Sequence, residues 1–144
     1  MSQEKPRDTG HGNLEVARRG YQGWAAGDIA AMLEVSTSDV EFVPAIAGGV
    51  EGGSTKGHHE FRRFFDALGE TWETFRLQVD EFREVGDRVI GTGQLTAKGR
   101  GSELELDQPI YSVLWFRDGK VARMQSFLDR EAAEAAASGE EVIG

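Results

Sequence analysis

The chain has 144 residues, of which 19 are Gly, 3 are Pro and none is Cys. This length suits one domain with its own core, and the lack of Cys excludes disulfide scaffolds, thiolate metal sites and cysteine nucleophiles. Sixteen basic and 25 acidic residues give a net charge of −9, which argues against a nucleic-acid binder because that class needs a basic face. No apolar run approaches the roughly 18 residues that a membrane span needs. The polar first residues do not resemble a signal peptide, so we expect a cytoplasmic protein.

The first part of the chain predicts two helices and a strand. Apolar residues recur at intervals of three and four over residues 14–24, which predicts a helix that starts after Asn13 as its N-cap and ends at Gly27. A short second helix is expected over Ile29–Glu34, with the preceding Asp as its cap. Residues 39–43 alternate between apolar and polar side chains and predict a short strand.

Residues 45–57 contain five of the glycines and show no regular period. Their length and composition predict a loop that acts as a mobile lid over a pocket. Helical spacing returns over residues 58–68, with Phe61, Phe65 and Leu68 on one stripe.

The rest of the chain alternates with period two, which is typical of strands in an antiparallel meander. The strongest hairpin signal is Asp118-Gly119. The predicted strands are 75–84, 88–98, 104–117 and 120–128, and they are followed by a short helix that ends at residue 137 and is capped by Asp129. The predicted fold is α+β, with helices packed on one face of a curved antiparallel sheet. We expect a polar, mobile tail over residues 1–12, one domain over 13–138 and a second tail over 139–144.

Two motifs that suggest ligands fail on spacing. A phosphate-binding loop needs Gly-Lys-Ser/Thr at the mouth of a helix, and residues 54–57 read Ser-Thr-Lys-Gly, which is the reverse order. Metal ligands on one helix face need a partner four residues on, and His58 and His59 are followed at that distance by Arg62 and Arg63. We therefore expect no metal and no nucleotide cofactor. His58 is either packed at a helix start or a titratable group at a pocket rim.

One face of the third predicted strand changes from acidic to aromatic along its length. Such a row is either a solvated edge or a strand that runs from the rim of a pocket to its interior. In order, the residues of this face are Glu103, Glu105, Asp107, Tyr111, Val113 and Trp115.

Three segments together resemble the SnoaL-like polyketide cyclase branch of the nuclear transport factor 2-like superfamily. They are GWAAGDIAAMLEVSTSDVEFVP, KGHHEFRRFF and FRDGKVARMQSFLDREAAEAA, and the resemblance spans residues 13–138. It implies a cone-shaped curved sheet wrapped around three N-terminal helices, a deep pocket, and a homodimer through the outer sheet face. Members of this superfamily, which include ketosteroid isomerases, limonene epoxide hydrolase and polyketide cyclases, bind apolar small molecules and use acid–base chemistry without a cofactor.

The resemblance also places the superfamily's functional positions on this chain. The isomerase base falls on Val43, its tyrosine donor on Gly20 with Tyr21 one residue later, and its protonated acid on Tyr111. The epoxide hydrolase carboxylate falls on Ser126, and the acid nearest to the cyclase position is Asp107. None of the positions on Val43, Gly20, Tyr111 and Ser126 keeps a carboxylate.

Two functions therefore follow from the sequence. The first is a cofactor-free isomerase, cyclase or hydrolase acting on an apolar, oxygenated molecule, with Tyr111 as hydrogen-bond donor and His58 or Asp107 as proton carrier. The second is a ligand-binding or dimerisation domain without catalysis. In both, the same side chains are expected to line the pocket, although aromatic and Met residues at such spacings also suit an ordinary core. The expected pocket residues are Gly20, Tyr21, Trp24, Phe61, Phe65, Gln94, Val113, Trp115, Met124, Ser126 and Leu128.

Overall fold

The computed structural model describes residues 9–45, 54–101 and 103–139. These residues form four helices and six strands. In chain order the elements are α1 Thr9–Ala26, α2 Ile29–Glu34, β1 Ser36–Val43, β2 Thr55–Lys56, α3 Gly57–Thr71, β3 Trp72–Val85, β4 Arg88–Gly99, β5 Glu105–Arg117, β6 Lys120–Phe127 and α4 Arg130–Ser138.

Side-chain caps fix the starts of the two short helices. A carboxylate oxygen of Asp28 accepts a hydrogen bond from the Ala31 amide at 3.1 Å, and Asp129 accepts one from the Ala132 amide at 3.0 Å. Each satisfies an amide that the first turn leaves without a partner, so α2 has the predicted bounds. The predicted N-cap of α1 is wrong. The helix begins at Thr9, inside the predicted tail, and the Asn13 amide group donates to the Asp87 carbonyl at 3.4 Å.

All six strands belong to one curved, unclosed sheet with the order β2-β1-β6-β5-β4-β3. The predicted meander from β3 to β6 is confirmed as antiparallel, while β1 joins it through a parallel pairing with β6. Part of the predicted lid is a strand, because Thr55 and Lys56 pair with Phe42 and Glu41 of β1. Residues 46–53 of the predicted lid lie outside the described residues.

Two glycines on the inner face of β4 allow the β3 backbone to approach closely where the sheet bends. A Cβ atom at Gly93 would lie 1.9 Å from the Gln78 carbonyl oxygen, and one at Gly91 would lie 2.7 Å from Val79 Cγ1. The β3–β4 register shifts between Val79 and Glu81, beside these positions. A bulge bends its strand and increases its twist. The strong curvature of this part of the sheet therefore depends on backbone contacts that only glycine permits.

Helices α1, α2 and α3 pack into the concave side of the sheet and bury most of the apolar core there. Inward side chains come from alternate positions of the strands, as the period of two requires. Buried core residues of this side include Leu77, Val89, Leu95, Ile110, Leu114 and Met124. This arrangement is the cone that the sequence predicts.

The convex side of the sheet carries α4. Ala133 and Ala137 of this helix pack on Ile90 and Val113, and together these four form a second, smaller buried cluster. Next to it, the Trp115 ring lies between two guanidinium groups, with Arg88 Cζ 5.4 Å and Arg123 Cζ 5.1 Å from the ring centroid. Cations over an indole face are attracted by its quadrupole, so this pairing stabilises the outer surface beside α4.

Candidate functional site

The concave side of the sheet encloses a small apolar cavity of about 20 Å³. That is the room one or two water molecules need, so the cone interior is nearly filled in this conformation. Most of its wall is aromatic or aliphatic, with a single hydroxyl. The lining residues are Trp24, Phe42, Pro44, Ala45, Phe64, Phe75, Leu77, Leu95, Ile110 and Ser126.

Trp24 is the centre of the aromatic wall. Its ring centroid lies 5.7 Å from that of Phe42, 5.9 Å from Phe61 and 5.5 Å from Phe65, the last with the rings edge to face. These separations fall in the range where aromatic pairs stabilise one another beyond the area that they bury. Trp24 is 5% exposed, so α1 holds it firmly against β1 and α3.

A row of three buried hydroxyl groups leads away from the cavity. Ser126 of β6 forms part of the cavity wall, and its Oγ lies 3.3 Å from Ser112 Oγ on the paired position of β5. The Ser112 side chain in turn interacts with the Tyr21 hydroxyl of α1. Tyr21 is 3% exposed, and its Oη makes no hydrogen bond of good geometry to any described residue. The row therefore ends on one side at the cavity and on the other at an unsatisfied phenol.

Burial keeps the Tyr21 hydroxyl protonated. Removal from water raises the pKa of this phenol well above its ordinary value, and the Ser112 side chain opposes the rise only in part. A neutral phenol keeps its O–H facing Ser112, Ser112 can donate a hydrogen bond to Ser126, and Ser126 can donate one into the cavity. The arrangement is suited to donating a hydrogen bond to an oxygen atom in an apolar cavity.

Within the described part of the chain, no group that could act as a base lines the cavity. Its ten described lining residues include no Asp, Glu or His. Elsewhere in the described residues, no group of three or more His, Asp or Glu side chains is arranged to hold a metal ion. What the site offers chemically is hydrogen-bond donation and apolar contact.

The predicted inward face of β5 is wrong. Tyr111 and Trp115 pack against the cluster formed by Val113 with α4, on the convex side, while Ile110, Ser112 and Leu114 face the helices. A shift of one residue moves every side chain of a strand to the other face. Both faces of β5 are apolar because each is covered by helices, so alternation does not distinguish them.

Gln94 lies on the convex face of the sheet, as Tyr111 does. Gln94 belongs to β4, which pairs with β5, and paired residues share a face. Its amide donates to an Asp107 carboxylate oxygen at 2.7 Å, and both side chains are exposed. His58 lies at the start of α3, where its Nε2 donates to the Thr37 carbonyl at 2.9 Å. The structure therefore brings Tyr111, His58 and Asp107 neither to the cavity nor to one another.

Several predicted pocket residues do lie inside the cone. Trp24 and Ser126 line the cavity, and Tyr21, Phe61 and Met124 are buried close by in the same core. Phe65 is half-buried and packs on Trp24.

Gly20 and Leu128 do not line the cavity. A Cβ at Gly20 would meet Val35 Cγ2 at 3.6 Å, so this glycine faces the junction of α2 and β1. Leu128 follows the end of β6 and is 41% exposed.

The inner residues of β3, β4 and β5 were not among the predicted pocket residues. Ser112 is the most important of these, since it links Tyr21 to Ser126. The Ala-rich composition of α4 was the sequence feature that could have indicated which face of β5 is the convex one. A helix with small side chains can lie flat on a sheet, and the convex face of β5 is where such a helix fits.

Comparison with known proteins places the chain in a family. A family model described as the SnoaL-like domain matches residues 17–124, so the chain belongs to the SnoaL-like domain family. No helix in the described part of the chain is both long and apolar enough to cross a membrane. No curated protein matches the chain in sequence.

Solved structures agree with this assignment. TerC, co-crystallised with polyporic acid, is 27% identical with a TM-score of 0.71, and the alignment covers 89% of this chain and 98% of that one. An NTF2-like protein from Burkholderia thailandensis is 25% identical with a TM-score of 0.73, over 87% and 95% of the two chains. A protein from Jannaschia described as a SnoaL-like polyketide cyclase is 22% identical with a TM-score of 0.69, over 94% and 97%. This last similarity concerns the fold alone.

Proposed function

We propose that the protein binds an apolar small molecule inside the cone and donates a hydrogen bond from Ser126 to an oxygen atom of that molecule. The observation that carries the proposal is the row of buried hydroxyls, which ends at the wall of an aromatic cavity. Along the row each O–H can face the next oxygen, and at the cavity end the Ser126 O–H can donate to a ligand oxygen. The co-crystallisation of TerC with polyporic acid supports small-molecule binding by this fold.

In this proposal Ser126 contacts the ligand, and Ser112 and Tyr21 are positioning residues that act through it. The lack of an acid or base among the described cavity residues favours binding over proton transfer. A ligand larger than water needs more room than about 20 Å³, so binding requires a wall residue to move.

The test is a matched pair of flat aromatic probes, fluorenone and fluorene, which differ in a carbonyl oxygen. Calorimetric titration of the wild-type protein is expected to show about fivefold tighter binding of fluorenone, the value of one ordinary hydrogen bond. Ser126→Ala is expected to abolish this preference and Tyr21→Phe to reduce it. Tyr111→Phe, the same substitution on the convex side, is the control and should leave the ratio unchanged. Equal binding of both probes by the wild type would contradict the proposal.

Polyporic acid is a further probe. Its recovery unchanged after prolonged incubation with the protein would support binding without catalysis, and its conversion would support the cofactor-free enzyme. A cytoplasmic location and a homodimer are proposed from the sequence and the family resemblance. Cell fractionation tests the location, and light scattering that reports a monomer near 15.8 kDa would contradict the dimer.

A further inference from the structure

Two grooves lie directly outside the cavity, between the C-terminal ends of α1 and α3 and the first half of β3. They measure about 370 and 500 Å³, which is in the range of small-molecule sites. Trp24 and Phe75 line the cavity and both grooves. These two rings are therefore the partition between the interior of the cone and the open space beside it.

The two rings of this partition, Trp24 and Phe75, differ in how tightly their surroundings pack against them. Trp24 is buried and has close ring contacts with three phenylalanines. Phe75 is half-buried, and its ring contact within aromatic-pair distance is to Trp72 at 6.0 Å. It belongs to β3, one of the two edge strands of the sheet. Among the larger described side chains of the cavity wall, Phe75 is the one that reaches solvent. Of these larger side chains, it is the one with the fewest constraints on its movement.

Beneath the wall of the larger groove lies a hydrogen-bond donor. Trp72 lines the groove and is 5% exposed, and its Nε1 is buried with no hydrogen-bond partner among the described residues. Arg100 lines the same groove, where its guanidinium donates to the Gly69 carbonyl at 2.8 and 3.1 Å. The exposed carboxylates of Asp66 and Glu73 complete the charged groups of this lining. Because one positive and two negative charges nearly balance, the groove suits a neutral hydrogen-bond acceptor better than an anion.

We infer that the larger groove is the outer half of the ligand site and that Phe75 is the movable wall between the halves. The ligand class that fits is a neutral, elongated aromatic molecule. Its inner oxygen accepts from Ser126. Its outer end accepts from Trp72 Nε1, which the ligand has to uncover because this atom is buried. This inference rests on the proposed function, because it extends the same site outward.

Chromone and flavone test the outer half, since flavone is chromone with one added phenyl ring. Calorimetric titration of the wild type is expected to give about tenfold tighter binding of flavone. Ala26→Phe places a ring in the larger groove without touching the cavity and should remove most of this advantage while chromone binding stays the same. Ala30→Phe, on an exposed alanine of α2 away from this groove, is the matched control.

Phe75 and Trp72 have separate tests. Phe75→Ala removes the side chain that must be displaced, so it is expected to tighten binding of both probes about fivefold. Phe116→Ala truncates another half-buried phenylalanine of the same core that lines neither space, and it should not tighten binding. Trp72→Phe is expected to remove the preference for 4′-methoxyflavone over flavone, which is about threefold in the wild type. Thermal unfolding checks that each variant is folded, and Phe75→Leu replaces Phe75→Ala if the latter is not.

The outcomes separate the two proposals. If chromone and flavone both bind with equal affinity, and Ala26→Phe changes neither, the outer half of the site is refuted while the inner site stands. If Phe75→Ala and Phe116→Ala behave alike, Phe75 is not the movable wall. If neither probe binds and fluorenone does not bind either, the proposed function fails and the extension fails with it.

Discussion

Gly93→Ala is expected to be among the most damaging single-methyl additions in this chain. An added Cβ would lie 1.9 Å from the Gln78 carbonyl oxygen and 2.7 Å from the Val79 Cα atom. Both are backbone atoms of β3, so no side chain can rotate away. Ordinary contact begins near 3.4 Å, and β3 would therefore have to retreat by about 1.5 Å from β4 at this point.

The cost follows from what that retreat breaks. Two ladder hydrogen bonds at about 1 kcal/mol each, together with about 1–3 kcal/mol of overpacking strain, predict a loss of at least about 3 kcal/mol in the free energy of unfolding. With a urea m-value of about 2 kcal/mol/M, the unfolding midpoint should fall by about 1.5 M.

The matched control is Gly69→Ala, in α3. A Cβ there meets nothing within 4 Å, so the substitution should stabilise the protein by about 0.5–1 kcal/mol through helix propensity. Urea unfolding followed by circular dichroism measures both variants. A Gly93→Ala protein as stable as the wild type would refute the account of how glycine permits the curvature of the sheet.

Three further predictions concern the neighbouring bend, the buried phenol and the outer helix. Gly91→Ala should cost about 1–3 kcal/mol, and Val79→Ala, which removes the Cγ1 atom 2.7 Å away, should rescue it. Additive losses in the double mutant would contradict that contact. Burial raises the folded-state pKa of Tyr21 above the unfolded value, so its contribution to stability is complete below pH of about 10 and is lost as pH rises further. Tyr21→Phe should therefore lose less stability in alkali than Tyr111→Phe, in unfolding curves recorded from pH 8 to 11. Ala133 is fully buried against the convex face, so Ala133→Arg should release α4 from the sheet. Hydrogen-exchange protection should then be lost in α4 and retained in β4. Protection lost equally in both elements would show that α4 is part of the main core.

The sequence predicted those elements whose boundaries are set by local chemistry. Asp28 and Asp129 each cap a helix through their own side chain, and the Asp118-Gly119 turn joins β5 to β6 at the predicted place. These signals act within a few residues and need no knowledge of the rest of the fold. The parallel pairing of β1 with β6 has no such local signal, and the sequence did not predict it.

The candidate site was predicted less well because it depends on which face of each strand is inside. β5 has apolar side chains on both faces, so alternation does not decide whether Tyr111 or Ser112 is the inner residue, and the family resemblance implied Tyr111. An offset of one residue was enough to exchange them. On α1, by contrast, Tyr21 and Trp24 share the buried stripe that helical spacing indicates, and both were predicted to lie inside.

The order of the strands has a consequence for folding during synthesis. β6 lies between β1 and β5, although it is the last strand of the sheet to be made. Until it emerges, β1 with β2 and the β3–β5 meander are two separate pieces, each with an unpaired edge where β6 will bind. Such edges are templates for aggregation, and pairing across most of the chain is slow to form. A nascent chain stalled before Lys120 would therefore depend on chaperone protection of both edges, whatever the stability of the finished fold.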